Sequence, residues 1–138
     1  MTPGQAGGRG KLRFAGYAAL FDVADGAKDT IRRGAFARTL AGRKDPLPLL
    51  WQHRARIGTV ESVSEDRRGL RVVARIERTQ SRAAAMLREQ GVSGLSFGYH
   101  ARGFRRTPGG RVLEEIELLE ISLVTHPLQP GARVHLVR

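Results

Sequence analysis

Gly94-Leu95-Ser96-Phe97-Gly98-Tyr99 is the stretch on which the reading of this chain turns. It sets a hydroxyl between two glycines, inside an apolar run with the composition of a β-strand. Side chains alternate along an extended chain, so Gly94, Ser96 and Gly98 share one face and Leu95, Phe97 and Tyr99 the other. The two missing side chains on the serine's own face leave room for another backbone to lie against it. Glycine inside a strand otherwise weakens it and marks a bend or a close approach. These residues suit both a bend with an incidental serine and a serine kept open for chemistry, and the rest of the chain must decide.

Downstream, Pro108-Gly109-Gly110 is a turn, residues 111–125 read as the longest strand, His126-Pro127 ends it, and a short tail follows. The serine strand, residues 95–102, therefore leads into a hairpin. Upstream, residues 79–90 form an alanine-rich helix stopped by Gly91. Residues 57–63 and 69–77 make a hairpin, in whose second strand Leu70, Val72, Ala74 and Ile76 alternate with Arg71, Val73 and Arg75. Residues 47–51 form a short strand that Pro48 predicts to be an edge or irregular one. Residues 30–41 read as a short helix or helical turn around Ile31, Phe36 and Leu40, residues 22–29 as a loop, and residues 12–21 as a first strand. Residues 1–10 are expected to be a disordered tail, and residues 11–138 a single domain. Six or so mostly antiparallel strands with two helices predict an α+β protein, built as a small β-barrel or strongly curved sheet.

At 138 residues the chain is long enough for one real core. It has no cysteine, which excludes disulfides and thiolate chemistry, and no apolar run approaches the roughly 20 residues of a membrane span. No cofactor or metal is expected. The formal charge of +11 suits a polyanion or an acidic protein partner. The basic residues are arginines apart from Lys11, Lys28 and Lys44, and they are spread along the chain. The nearest approach to a cluster is Arg102, Arg105 and Arg106 beside Phe104, and no nucleic-acid module pattern is present. Nucleic acid is therefore not expected as the main partner.

A serine hydroxyl becomes a nucleophile only when a base takes its proton. Of the four histidines, His100 lies four residues along the serine's own strand, about 13 Å away in an extended chain. His135 sits in the tail. His53 and His126 both stand where an apolar strand meets a loop, and the residue pattern leaves both open. A third group orients such a histidine. Glu120 shares a strand face with Ile116, Leu118, Ser122 and Val124, so its carboxylate needs a partner, either an arginine or a histidine. Gly94-x-Ser96-x-Gly98 also matches the nucleophile elbow of α/β-hydrolases, but that motif requires a strand-turn-helix in a parallel sheet larger than this chain supports.

The order Trp51-Gln52-His53, then Gly94-Leu95-Ser96-Phe97-Gly98-Tyr99, then Leu119-Glu120-Ile121-Ser122-Leu123-Val124-Thr125 with Pro127 resembles the prohead maturation proteases of tailed phages. Gly16-Tyr17-Ala18 with Phe21, the run IRRGAF at 31–36, Gly58, Gly69-Leu70 and Ala132 agree with it. The resemblance extends over nearly the whole chain, from about residue 12 to residue 137. It implies a fold like herpesvirus assemblin, a serine protease on a β-barrel. It also implies Ser96 as nucleophile, His53 as base and Glu120 in place of the viral relatives' second histidine, with oxyanion donors from the turn at 126–130. The implied activity is a serine endopeptidase of capsid maturation, cleaving the major capsid protein precursor or a scaffold segment, and itself. A portal and a further copy of the chain are the other partners to consider. The implied place is the assembling procapsid in the bacterial host cytoplasm, in a phage, prophage or gene-transfer-agent-like element. The alternative is a catalytically inactive capsid assembly module of the same fold. One departure stands out: Arg54 follows His53 where family members often carry an acid.

Overall fold

The computed structural model describes residues 12–138, so the tail expected over residues 1–10 lies outside the described residues. Eight strands form one sheet: β1 (Leu12–Leu20), β2 (Asp29–Ile31), β3 (Pro48–Trp51), β4 (Ala55–Glu65), β5 (Gly69–Ile76), β6 (Gly94–Thr107), β7 (Gly110–Val124) and β8 (Val134–Val137). Two helices, α1 (Ala37–Ala41) and α2 (Arg82–Arg88), complete the set. The strand order is β2-β7-β3-β4-β5-β1-β8, with β6 paired to β7. The sheet curls until its ends meet. Gly94 of β6 bridges to Arg133, Leu95 N donates to Ala132 O, and Val134 N donates to Ser93 O. The α+β architecture and strong curvature expected from the sequence are both present.

The core lies inside the curl. The alternation in β5 puts Leu70, Val72, Ala74 and Ile76 there, and β6 contributes Leu95. Helix α2 buries Ala83, Ala84 and Leu87, while the Ser81 side chain caps it by accepting from Ala84 N. It begins later than the helical pattern of 79–90 suggests, because Ser81 N closes a turn onto Arg78 O.

Three expectations need correction. Residues 30–41 are not one helix: Asp29–Ile31 pair in parallel with Arg111–Leu113 of β7, and only Ala37–Ala41 are α-helical. Burial of Ile31 to 2% exposure and a sheet partner some eighty residues away override the local helical pattern. Strand β3 is irregular, with a register shift between Leu49 and Leu50, but it is not an edge, since it lies between β4 and β7. Pro48 is tolerated because it is the first residue of the strand, and pairing with β7 begins only at Leu49. The tail supplies β8, which pairs antiparallel with β1.

Candidate active site

Strands β6, β7 and β3 build the site. Across the antiparallel β6–β7 pair, Ser96 faces Ser122 and Gly98 faces Glu120. On the other edge of β7, Leu50 and Trp51 of β3 run parallel beside Ser122 and Leu123. The chain leaving β3 therefore turns directly over Ser122 and Glu120.

A bulge in β7 sets the face on which Glu120 stands. The register steps from Gly98 opposite Glu120 to Tyr99 opposite Leu118, leaving Leu119 as an extra residue. Ile116 and Leu118 before the bulge, and Ile121 and Leu123 after it, all enter the core. Simple alternation puts Glu120 on the face of Ile116 and Leu118. The extra residue shifts the phase, so Glu120 and Ser122 stand together on the opposite face.

The two glycines of the serine strand have specific neighbours. A Cβ on Gly98 would come within 2.8 Å of Glu120 Cγ and 3.0 Å of its Cδ. One on Gly94 would meet the Val124 carbonyl at 2.5 Å and the Pro127 ring at 2.7 Å. Gly98 thus lets the Glu120 side chain lie across β6, and Gly94 seats the turn that follows β7.

The β3–β4 turn delivers His53. Arg54 N donates to Trp51 O at 2.9 Å, and both central residues have positive φ, 52° at Gln52 and 62° at His53. That is the handedness of a type I′ hairpin turn, usually built from Asn and Gly. Non-glycine residues there store roughly 1–3 kcal/mol each, so their surroundings must hold them. Gln52 N donates to Leu123 O at 2.9 Å. The Gln52 amide also clamps Thr125, donating to Oγ1 at 3.3 Å and accepting from its N–H at 3.2 Å. His53 N donates to Ser122 Oγ at 3.0 Å.

So held, His53 Nδ1 lies 3.0 and 3.3 Å from the two carboxylate oxygens of Glu120. Ser122 Oγ donates to Glu120 Oε2 at 2.8 Å. An ionised carboxylate only accepts, so the pairing puts the ring proton on Nδ1 and leaves Nε2 with its lone pair. The His53 side chain is 44% exposed and that of Glu120 only 11%.

Ser96 is half-buried on the neighbouring strand, and its hydroxyl makes no hydrogen bond among the described residues. It borders a shallow cleft between β6 and residues that include Ala18, Ile31 and Leu128. His100 is exposed opposite Glu117, His126 is exposed after β7, and His135 packs edge-on against the Tyr17 ring at 5.6 Å. Of the four histidines, His53 is the one that touches Glu120. Among the described residues no group of three or more His, Asp or Glu side chains converges as a metal site.

Sequence reading missed Ser122, Gln52 and Thr125 as supports. Ser122 had a signal, since it stands two residues from Glu120 and so shares its face. The Gln52–Thr125 clamp joins residues far apart in the chain, and nothing local announces it.

Set beside solved structures, this fold is that of several viral proteases. The chain aligns with varicella-zoster virus protease at a TM-score of 0.61 and 17% identity, covering 91% of this chain and 63% of that one. It aligns with the bacteriophage T4 capsid assembly protease at a TM-score of 0.64 and 15% identity, covering 83% and 82%. Residues 4–138 match the Caudovirus prohead serine protease family, and the chain belongs to it. It is 31% identical over 130 residues to the prohead protease of Enterobacteria phage HK97, covering 88% of this chain and 58% of that protein. It thus spans less than two thirds of that relative's length.

Proposed function

We propose that this chain is a serine endopeptidase of capsid maturation, acting inside the assembling procapsid in the bacterial cytoplasm. Its substrates are capsid-precursor or scaffold segments, and the chain itself. One observation carries the reading beyond family membership: a strained, tightly held turn places a histidine on a buried carboxylate, next to the strand that bears Ser96.

In this reading His53 Nε2 takes the Ser96 proton and the alkoxide attacks the scissile carbonyl. His53, now an imidazolium stabilised by Glu120, then protonates the leaving amine. Water, deprotonated by the same ring, releases the acyl group from Ser96. Ser122 and Gln52 act as positioning residues, the first holding Glu120 and the His53 backbone, the second locking the turn. The oxyanion is met by backbone N–H groups of the 126–130 turn, which Pro127 seats against Gly94. The N–H groups of His126, Leu128 and Gln129 donate to no other described residue, which suits that task.

The test is incubation of the purified chain with capsid-precursor polypeptide. Wild type is expected to release defined fragments. Ser96→Ala and His53→Ala should release none, while His126→Ala, His100→Ala and His135→Ala keep at least part of the activity. The same uncut band in wild type and Ser96→Ala would instead mark an assembly module without catalysis. Full activity in His53→Ala would move the base to His126.

A further inference from the structure

The arginines divide into two groups. Those of the β6–β7 hairpin are largely matched within the chain: Arg102 to Glu117, Arg105 to Glu114 and Arg111 to Asp29. Around the outer face of β8, β1 and β5 the matching is partial: Arg13 and Arg75 share Glu61, while Arg71 and Arg138 meet no carboxylate among the described residues. In β1 and β5, Ala15 stands beside Val73 and Tyr17 beside Arg71, while Leu136 of β8 flanks Ala15 on the other edge. A groove follows this face, with Ala15, Val73 and Leu136 along it and Arg71, Arg138 and the Glu61-paired Arg13 beside them. Leu136 is 48% exposed. Next to it, Tyr17, Arg67 and Arg68 line a second hollow.

Arg67, Arg68, Arg71 and Arg138 have no carboxylate within ion-pair distance among the described residues. Asp66, which lines the second hollow, is already engaged by the Tyr17 hydroxyl and by the N–H groups of Arg68 and Gly69. Arg68 lies over the Tyr17 ring at 5.3 Å, which fixes its position without neutralising it. Arg71 and Arg138 thus border an apolar floor, and Arg67 and Arg68 outnumber Asp66 in the hollow beside it, on a wall whose strand β5 is separated from β7 by β4 and β3.

We propose that this wall is an exosite that docks an acidic, amphipathic segment of the polypeptide being processed. Apolar side chains of the segment lie on Ala15, Val73 and Leu136, and its carboxylates meet Arg71, Arg138, Arg67 and Arg68. The apolar floor favours a polypeptide over a nucleic-acid backbone. A second copy of this chain would bring its own unmatched arginines against these, so like charge opposes it. Docking here leaves the cleft at Ser96 open. The identity of the docked polypeptide as a substrate rests on the proposed peptidase function, but the binding surface does not.

The experiment uses the full chain and a fluorescent synthetic peptide alternating leucine and glutamate. A leucine–lysine peptide and a short single-stranded DNA serve as competitors. Anisotropy should show binding of the leucine–glutamate peptide that weakens steeply with salt. Affinity should fall about tenfold or more in an Arg71→Glu/Arg138→Glu variant, and by less in Arg71→Gln/Arg138→Gln, the milder change guarding against misfolding. Both variants should cut a short peptide substrate at the wild-type rate but process the capsid precursor more slowly. Unchanged peptide affinity in both folded variants would overturn the proposal. So would tighter binding of DNA than of the acidic peptide, or self-association through this face that the variants abolish. If no cleavage is found in wild type, the peptidase reading fails while the affinity measurements still decide the exosite.

Discussion

Strand β7 takes a parallel neighbour twice, and each junction holds a buried carboxylate. At its start β2 brings Asp29, 5% exposed, against Arg111, which donates to both carboxylate oxygens at 2.9 and 2.8 Å. Near its end β3 leads to His53, which meets Glu120, 8% exposed, at 3.0 Å. The burial is alike and the partners differ. Arg111 is permanently charged and its fork uses both oxygens, so that pair is closed. Its hydrogen bonds hold the Asp29 carboxyl below the usual carboxylate range, against the opposing effect of burial. His53 sits on an exposed turn and keeps one ring nitrogen for a third group. A carboxylate locked to arginine serves the fold, whereas one that orients a histidine is available to chemistry.

Exchanging the two roles is the way to break this contrast. The largest effect is expected from Glu120→Gln, which keeps size and hydrogen bonding but removes the charge behind His53. Turnover should fall by about 10³–10⁴-fold with little change in melting temperature. A destabilised but fully active variant would make Glu120 a second Asp29.

Asp29→Asn should do the reverse. Loss of a charged, two-pronged hydrogen bond is expected to cost about 2–3 kcal/mol in urea unfolding, with normal turnover on the folded fraction. The pair also predicts a pH dependence. A folded-state pKa below the unfolded value contributes stability above the unfolded pKa of about 4, lost as pH falls through the folded value. Wild type should therefore lose stability on acidification in that window, and Asp29→Asn should lose less. Equal stability of the two proteins at neutral pH would remove Asp29 from the structural role.

The smallest effect concerns Ser122, which tethers both Glu120 and the His53 backbone. Ser122→Ala should lower turnover about tenfold, roughly 1.4 kcal/mol, without changing KM for a short peptide. A change in KM alone would mean that Ser122 shapes substrate binding instead.

The contrast also explains what could be read in the sequence. Local patterns carried the parts of the fold that depend on local forces: alternation at Leu70, Val72, Ala74 and Ile76, the alanine-rich helix, and the turn at Pro108-Gly109-Gly110. What escaped depends on distant partners. Ile31 looks helical until β7 pairs with it, and Pro48 looks like an edge residue until β7 covers the strand beyond it. The bulge at Leu119 cannot be seen without the register of β6, yet it decides which residues Glu120 stands among. At the site, Ser96, His53 and Glu120 were named through resemblance, since the residue pattern alone left His53 and His126 equal. What brings His53, and not His126, onto Glu120 is the positive-φ turn at Gln52 and His53, which no glycine or asparagine signals and which tertiary hydrogen bonds maintain.

The proposed activation of Ser96 by the His53–Glu120 pair is tested directly with an aryl fluorophosphonate, the adduct being mapped by mass spectrometry and its rate followed over time. Wild type should carry the phosphonyl group on Ser96, and His53→Ala and Glu120→Gln should label about 100-fold more slowly or not at all. Equal labelling rates in all three proteins, or an adduct on a residue other than Ser96, would contradict it.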